Sequence, residues 1–217
     1  MPRLGAIALS LLAVLAAGCG SSGSTPSASS DAPKATQTAA AKPACPVAWR
    51  ADWERLARDV RASVYCPSWL PQPLEGKIGG IGSARYVEPD RSYLIAFYWL
   101  ETTPTGGEEV HVNLRGYPGR AAIPVCEDTL VVKGKIVHPK MPCFDDARGK
   151  KRFGSTRVTV YTANQGADQW HVLYAWHRRG SLYTLSEHVA PPFTYQQVVG
   201  NLDRMMRGLV LLDPGTA

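Results

Sequence analysis

Few of the signatures that announce an enzyme occur among the 217 residues. There is no Gly-x-Ser-x-Gly elbow: Gly80-Ile81-Gly82-Ser83-Ala84 and Gly154-Ser155 both depart from it, which removes the usual strand-to-helix setting of a serine nucleophile. The glycine-rich stretch Gly76 to Gly82 lacks the Lys-Ser/Thr that would make it a phosphate loop, and nothing in the chain calls for a cofactor. No two cysteines lie two to four residues apart, so zinc-finger spacing is absent. Histidine is scarce, with five in all. Carboxylate pairs occur at Glu108-Glu109 and Asp145-Asp146, but adjacent acids on a strand point to opposite faces, so Glu108 and Glu109 cannot share one site. Both pairs read as solvated turn charges. No repeat of fixed period is visible, and no apolar run approaches the ~20 residues of a spanning helix.

What is present is most specific at the start. Arg3 is the only charge before Cys19, and Gly5 to Ala17 form an apolar stretch of signal-peptide length. Leu15-Ala16-Ala17-Gly18-Cys19 follows, with a branched residue, three small residues and a cysteine. It resembles the lipobox of bacterial lipoproteins. The resemblance implies that residues 1–18 are removed, that lipid is attached to Cys19, and that the protein is anchored to the extracytoplasmic face of the cell membrane. That address makes nucleic acid an unsuitable partner.

Gly20 to Ala44 contain no aromatic residue and no Leu, Ile or Val. Such a segment cannot bury enough apolar area to offset its ordering entropy. Residues 19–44 are therefore expected to be the lipidated cysteine and a disordered tether with a mean reach of about 25–30 Å. Residues 45–213 are expected to form a single globular domain, with 214–217 as a tail. The formal net charge of +6 loses one unit when Arg3 leaves. Its one dense patch, Arg148-Gly149-Lys150-Lys151-Arg152 with Arg157, reads as a solvated loop or as an attraction for anionic lipid headgroups and cell-wall polymers.

Cys45, Cys66, Cys126 and Cys143 remain after Cys19, an even number that suits two disulfides in an exported domain. Three pairings are open. Sequential pairing is the simplest, and it carries a condition. An unbroken helix from Cys45 to Cys66 would separate its ends by about 27–30 Å. A disulfide needs Cα atoms within about 7 Å. The helix that starts at Pro46 must therefore end near Val60, and Ala62 to Cys66 must double back. Trp49, Trp53, Leu56, Ala57 and Val60 form that helix's apolar face.

Cys66 to Pro73 carries three prolines and is expected to be irregular, with Trp69 and Leu70 packed on the domain. Ser92 to Glu101 is apolar on both faces and reads as a central strand. Glu108 to Arg115 alternates, with Val110, Val112 and Leu114 inward and His111, Asn113 and Arg115 outward. Lys133-Gly134 suits the turn of a small hairpin between Cys126 and Cys143. Arg157 to Thr162 is a strand turned at Asn164-Gln165-Gly166. Gln169 to His177 and Leu182 to Val189 form a hairpin around Arg178-Arg179-Gly180-Ser181, which sets Trp170 opposite Val189, Tyr174 opposite Leu185 and Trp176 opposite Tyr183. Thr194 and Gln197 form a capping box for a last helix that Gly208 ends, and Leu209 to Leu212 follows as a strand or plug. The fold class is α+β: an antiparallel sheet with an N-terminal and a C-terminal helix packed on one face, and two disulfides.

Two stretches resemble small extracytoplasmic domains of unknown function that occur in actinobacterial lipoproteins and in membrane proteins associated with anti-sigma factors. They are Val64-Tyr65-Cys66-Pro67-Ser68-Trp69-Leu70-Pro71 and the segment Ala175 to Ser186, centred on Trp176, Gly180 and Tyr183. The resemblance spans roughly Val64 to Leu212 and implies an α+β domain without known catalysis.

The first functional expectation is a non-enzymatic, lipid-anchored domain that binds a cell-envelope polymer, a protein or an apolar ligand. Trp99, Trp170, Tyr174, Trp176 and Tyr183 are its candidate ligand-binding residues, expected to line a groove. The second is a metal-binding exported protein. The hairpin register sets His171 opposite His188, with Cβ atoms about 4.5–5.5 Å apart. Two imidazoles so placed can share Zn(II) or Cu(II) if His111, His177 or Glu187 supplies a third ligand. Glu187 points to the other face of its strand.

Overall fold

The computed structural model describes residues 42–104, 106–163 and 170–215. The expected leader, Cys19, the expected tether up to residue 41, and the expected turn at Asn164-Gln165-Gly166 lie outside the described residues. The fold is mostly antiparallel sheet, with two helices and two disulfides, and is more sheet-dominated than the pattern suggests.

The chain begins with α1, Val47–Val60, capped by Pro46. Arg61 closes the helix in the left-handed region at φ 50°, and its backbone N–H reaches the carbonyls of Ala57 and Arg58. That reversal lets β1, Val64–Pro67, run back along the helix. It satisfies the condition set by the cysteines: Cys45 and Cys66 are bonded with Cα atoms 5.6 Å apart. Cys66 and Pro67 thus belong to a strand, and regular structure stops only after them. β1 pairs with the last strand, β13, Leu209–Leu212, which follows α2, Tyr195–Gly208. α2 carries the expected capping box of Thr194 and Gln197.

Between these ends lies a seven-stranded sheet. Its strands are β2, Ser83–Val87; β3, Tyr93–Thr103; β4, Gly106–Tyr117; β9, Ala147–Phe153; β10, Thr156–Ala163; β11, His171–Arg178; and β12, Ser181–His188. Their order is β2-β3-β4-β12-β11-β10-β9. The centre is therefore β12. β3, expected to be central from its two apolar faces, lies next to the edge and leaves Tyr98 and Leu100 exposed. The basic run is not a loop but most of β9, the other edge strand, where Arg148, Lys150 and Arg152 stay exposed while Lys151 turns in toward Asp203.

Residues 125–142 form two small ladders. β5, Val125–Glu127, pairs with β8, Lys140–Pro142, and β6, Leu130–Val132, pairs with β7, Lys135–Val137. The second disulfide, Cys126–Cys143, closes their base.

The main core joins Trp53, Leu56 and Val60 of α1, Val198, Leu202 and Met205 of α2, and alternate sheet residues including Ile95, Phe97, Val112, Tyr174 and Leu185. The rings of Trp53 and Phe97 are 6.2 Å apart, and the Trp53 indole N–H donates to the Gly76 carbonyl at 2.9 Å. Gly116 is required where it stands, because an added Cβ would lie 2.4 Å from the Tyr93 ring that crosses it. A second cluster joins Ala163, Leu173, Ala175 and Leu182, on the alternate positions of the same strands, with Phe144 from the segment between β8 and β9. The Cys45–Cys66 loop spans 21 residues. Replacing both cysteines with serine is expected to cost about 3 kcal/mol in urea unfolding. A loss below about 0.5 kcal/mol would mean the clip adds little to what β1–β13 pairing already fixes.

Candidate metal centre

The turn that joins β11 to β12 places Arg179 at φ 48° and Gly180 at φ 75°. Two consecutive left-handed residues make the tight hairpin turn that fixes register. From it the ladder runs as expected through Trp176↔Tyr183 and Tyr174↔Leu185 to His171↔His188. β4 lies on the far side of β12, with Glu187 opposite Val112. One step along that ladder, His188 meets His111.

Directly opposed residues share a sheet face. Val172, Glu187, Val112 and Phe97 form one row, on the face of the main core. The next row, on the opposite face, holds His171, His188 and His111. The ligating atoms of these three imidazoles all lie within 4.8 Å of one another. His171 and His188 stack at 5.3 Å with 16° between planes. The His111 ring stands edge-on to both, at 5.0 Å from His171 and 6.5 Å from His188.

The surroundings hold these rings in place. Nδ1 of His171, which is buried, lies 3.0 Å from the Ser186 hydroxyl. Nε2 of His111 is 3.0 Å from the Asn113 side-chain oxygen, and Asn113 is itself buried. The Glu109 carboxylate spans two histidines, 3.3 Å from His111 Nδ1 and 3.2 Å from His188 Nδ1. The latter contact lacks hydrogen-bond geometry, and His188 Nδ1 is a buried polar atom with no hydrogen bond among the described residues. Glu109, His111 and His188 keep side-chain exposures of 30%, 19% and 18%, so the group opens to solvent on one side. Glu109 and His111 stand two residues apart on β4 and so face the same way.

Of the other third ligands considered, His177 bonds the Ala121 carbonyl at 2.7 Å, six residues along β11 from His171. Glu187 turns to the opposite face, where Asn201 of α2 donates to it at 2.8 Å. Its other oxygen has no partner among the described residues. Burial pushes this carboxyl up to about 8, against the smaller opposing pull of the Asn201 bond.

The five aromatic residues expected to line a groove are dispersed. Trp176 and Tyr183 are buried, stacked at 5.9 Å, with Tyr65 edge-on to each. Tyr174 is buried and shares a short network in which Lys151 Nζ donates to its hydroxyl at 2.6 Å and the hydroxyl donates to Asp203 at 2.7 Å. Burial and Asp203 together hold that phenol well above its usual range. Three buried side chains of this kind, packed on one another and on the core, count against an apolar-ligand groove. Trp170 is 64% exposed at the end of β11, and its carbonyl accepts from the Val189 N–H. Trp99 lines an open cleft of about 640 Å3 with Tyr98, Leu74 and Gly82.

Sequence reasoning missed Glu109, which falls among the dismissed turn charges, and the polar supports Asn113 and Ser186. The pattern Glu109-Val-His111-Val-Asn113 carried the signal, three polar groups two apart on one strand face. No protein-family model, curated protein or solved structure matches this chain. No family or structural neighbour therefore indicates catalysis.

Proposed function

We propose that the protein is an extracytoplasmic lipoprotein, anchored through Cys19, whose domain binds one Zn(II) or Cu(II) ion through His111, His171 and His188. The observation that supports this is the convergence of three imidazoles, from three strands distant in sequence, within 4.8 Å. Imidazole suits both metals. A tetrahedral zinc with bonds of about 2.0–2.1 Å needs ligand atoms about 3.3–3.4 Å apart, so the rings must close by roughly 1–1.5 Å. Ser186 holds His171 Nδ1 and so directs Nε2 to the metal. His111 exchanges one of its two oxygen contacts for the ion. Glu109, facing His111 Nδ1, then serves as the carboxylate that orients this histidine ligand, a role that raises its basicity. The unsatisfied nitrogen of His188 fits a site completed by an ion.

We read α1 and α2 as covering the same sheet face, on the Trp53–Phe97 contact and the Asn201–Glu187 bond, since Phe97 and Glu187 share a row. The opposite face is then left for the histidines. A second reading, binding of an apolar ligand or cell-envelope component, is favoured only by the cleft beside Trp99.

The test is equilibrium dialysis of metal-free, oxidised protein against Zn(II) and, separately, Cu(II). One ion per chain is expected to stay bound at neutral pH. Binding weakens on acidification, because imidazole ligates only when deprotonated. Retention of neither metal would remove the proposal.

A further inference from the structure

Six of the fourteen large apolar side chains that the described residues leave exposed fall within residues 125–137: Val125, Leu130, Val131, Val132, Ile136 and Val137. Five of them belong to the β6–β7 hairpin, whose two-residue turn is Lys133 and Gly134 at φ 51° and 74°. Leu130, Val132 and Val137 lie on one face of this ribbon, and Val131 and Ile136 on the other. Both faces are open: Val131 is 72% exposed and Ile136 67%, while Val132 is 48% and Leu130 41%. The ribbon packs into neither core cluster. Yet the Cys126–Cys143 bond fixes its base, so it is held out from the domain rather than left to find cover.

We infer that the β6–β7 hairpin is a membrane-contacting arm that seats in the interface of an anionic bilayer. A groove on a partner protein would cover one face of a two-stranded ribbon and leave the other wet. The interfacial zone of a bilayer surrounds both. Residues 130–137 carry Lys133 and Lys135 and no acid. Long basic side chains keep their charge among headgroups while their stems lie along apolar surface. On the proposed lipoprotein reading the arm is a second contact, and a single lipid signal gains firmness from a second one.

The test uses the mature chain, residues 19–217 with Cys19→Ser, oxidised and without lipid, so it does not depend on the anchor. Vesicles of equal phosphatidylcholine and phosphatidylglycerol are compared with phosphatidylcholine alone in a flotation assay. The chain is expected to float with the anionic vesicles. Val131→Asp with Ile136→Asp is expected to lower binding at least tenfold, and charge reversal at Lys133 and Lys135 about fivefold or more per lysine. Both variants should keep the parent's thermal unfolding, because the tip touches no core residue. Failure of the parent to bind either vesicle would overturn the inference, as would unchanged binding by the aspartate variant. Concentration-dependent dimerisation that the aspartates abolish, without vesicle binding, would also overturn it and make the arm a contact between copies. A native protein found without lipid would remove the Cys19 anchor and leave this result standing.

Discussion

Alanine at His171 or at His188 is expected to abolish retained metal, with occupancy after dialysis falling from one ion to none. His171 has the greater structural role, since it is 2% exposed and bonded to Ser186. Its removal therefore also lowers stability, and His188, at the more open side, gives the cleaner result. Glu109→Gln separates ligand from support. The amide keeps the volume but loses the charge facing His111 and His188. Loss of an orienting carboxylate typically lowers metal affinity about 10–100-fold, so Gln at position 109 should weaken binding without eliminating it. Unchanged metal content in both histidine variants would dissolve the site.

Glu187→Gln is expected to stabilise the metal-free protein above neutral pH, and by more as the pH rises. The folded carboxyl titrates near 8 while its ordinary value is 4.5. Below 4.5 both states hold the proton and the side chain has no linkage effect. As the pH rises through 4.5 the unfolded chain ionises first, so stability falls until the folded carboxyl ionises in turn. Each unit of that window is worth about 1.4 kcal/mol, which sets a ceiling of a few kcal/mol at pH 8 and above. Glutamine removes the dependence and keeps the contact with Asn201. Urea unfolding from pH 4 to 9 reads it out: the two proteins should converge at the acid end and diverge toward the basic end. A variant less stable than its parent at every pH would mean the buried carboxylate has a partner that compensates its charge. The variant should also retain metal in full, since Glu187 stands on the opposite face from the histidines.

Local chemistry made the β11–β12 half of the site legible. Arg179-Gly180 is a two-residue turn, and such a turn determines every pair behind it, so His171 meets His188 as a matter of counting. The histidine from β4 was reachable only as one of three candidates. β4 and β12 are joined through some 60 residues of intervening chain, and no turn links their registers. Glu109 was lost for a related reason. The β3–β4 hairpin runs on to Thr103 and Gly106, so Glu108 and Glu109 sit in a ladder opposite Glu101 and Leu100 instead of in a turn. Alternation also misled about burial. His111, Asn113 and Arg115 read as a solvent face, whereas Asn113, Thr184 and Ser186 on that face are all buried. The reversal after Val60 was legible because helix rise and disulfide reach are both fixed lengths, which leave the chain one place to turn if Cys45 bonds Cys66. The aromatic groove failed because Trp and Tyr serve a packed sheet core as readily as a ligand, and periodicity alone does not distinguish them.

The most direct measurement is native and denaturing mass spectrometry of the mature protein taken from its own membrane. The account predicts a lipidated chain beginning at Cys19, lighter by two hydrogens for each of its two disulfides, and heavier under native conditions by one metal ion that denaturation releases. A chain of the same covalent mass that carries no metal in either condition, and takes up none when Zn(II) or Cu(II) is supplied, would contradict it.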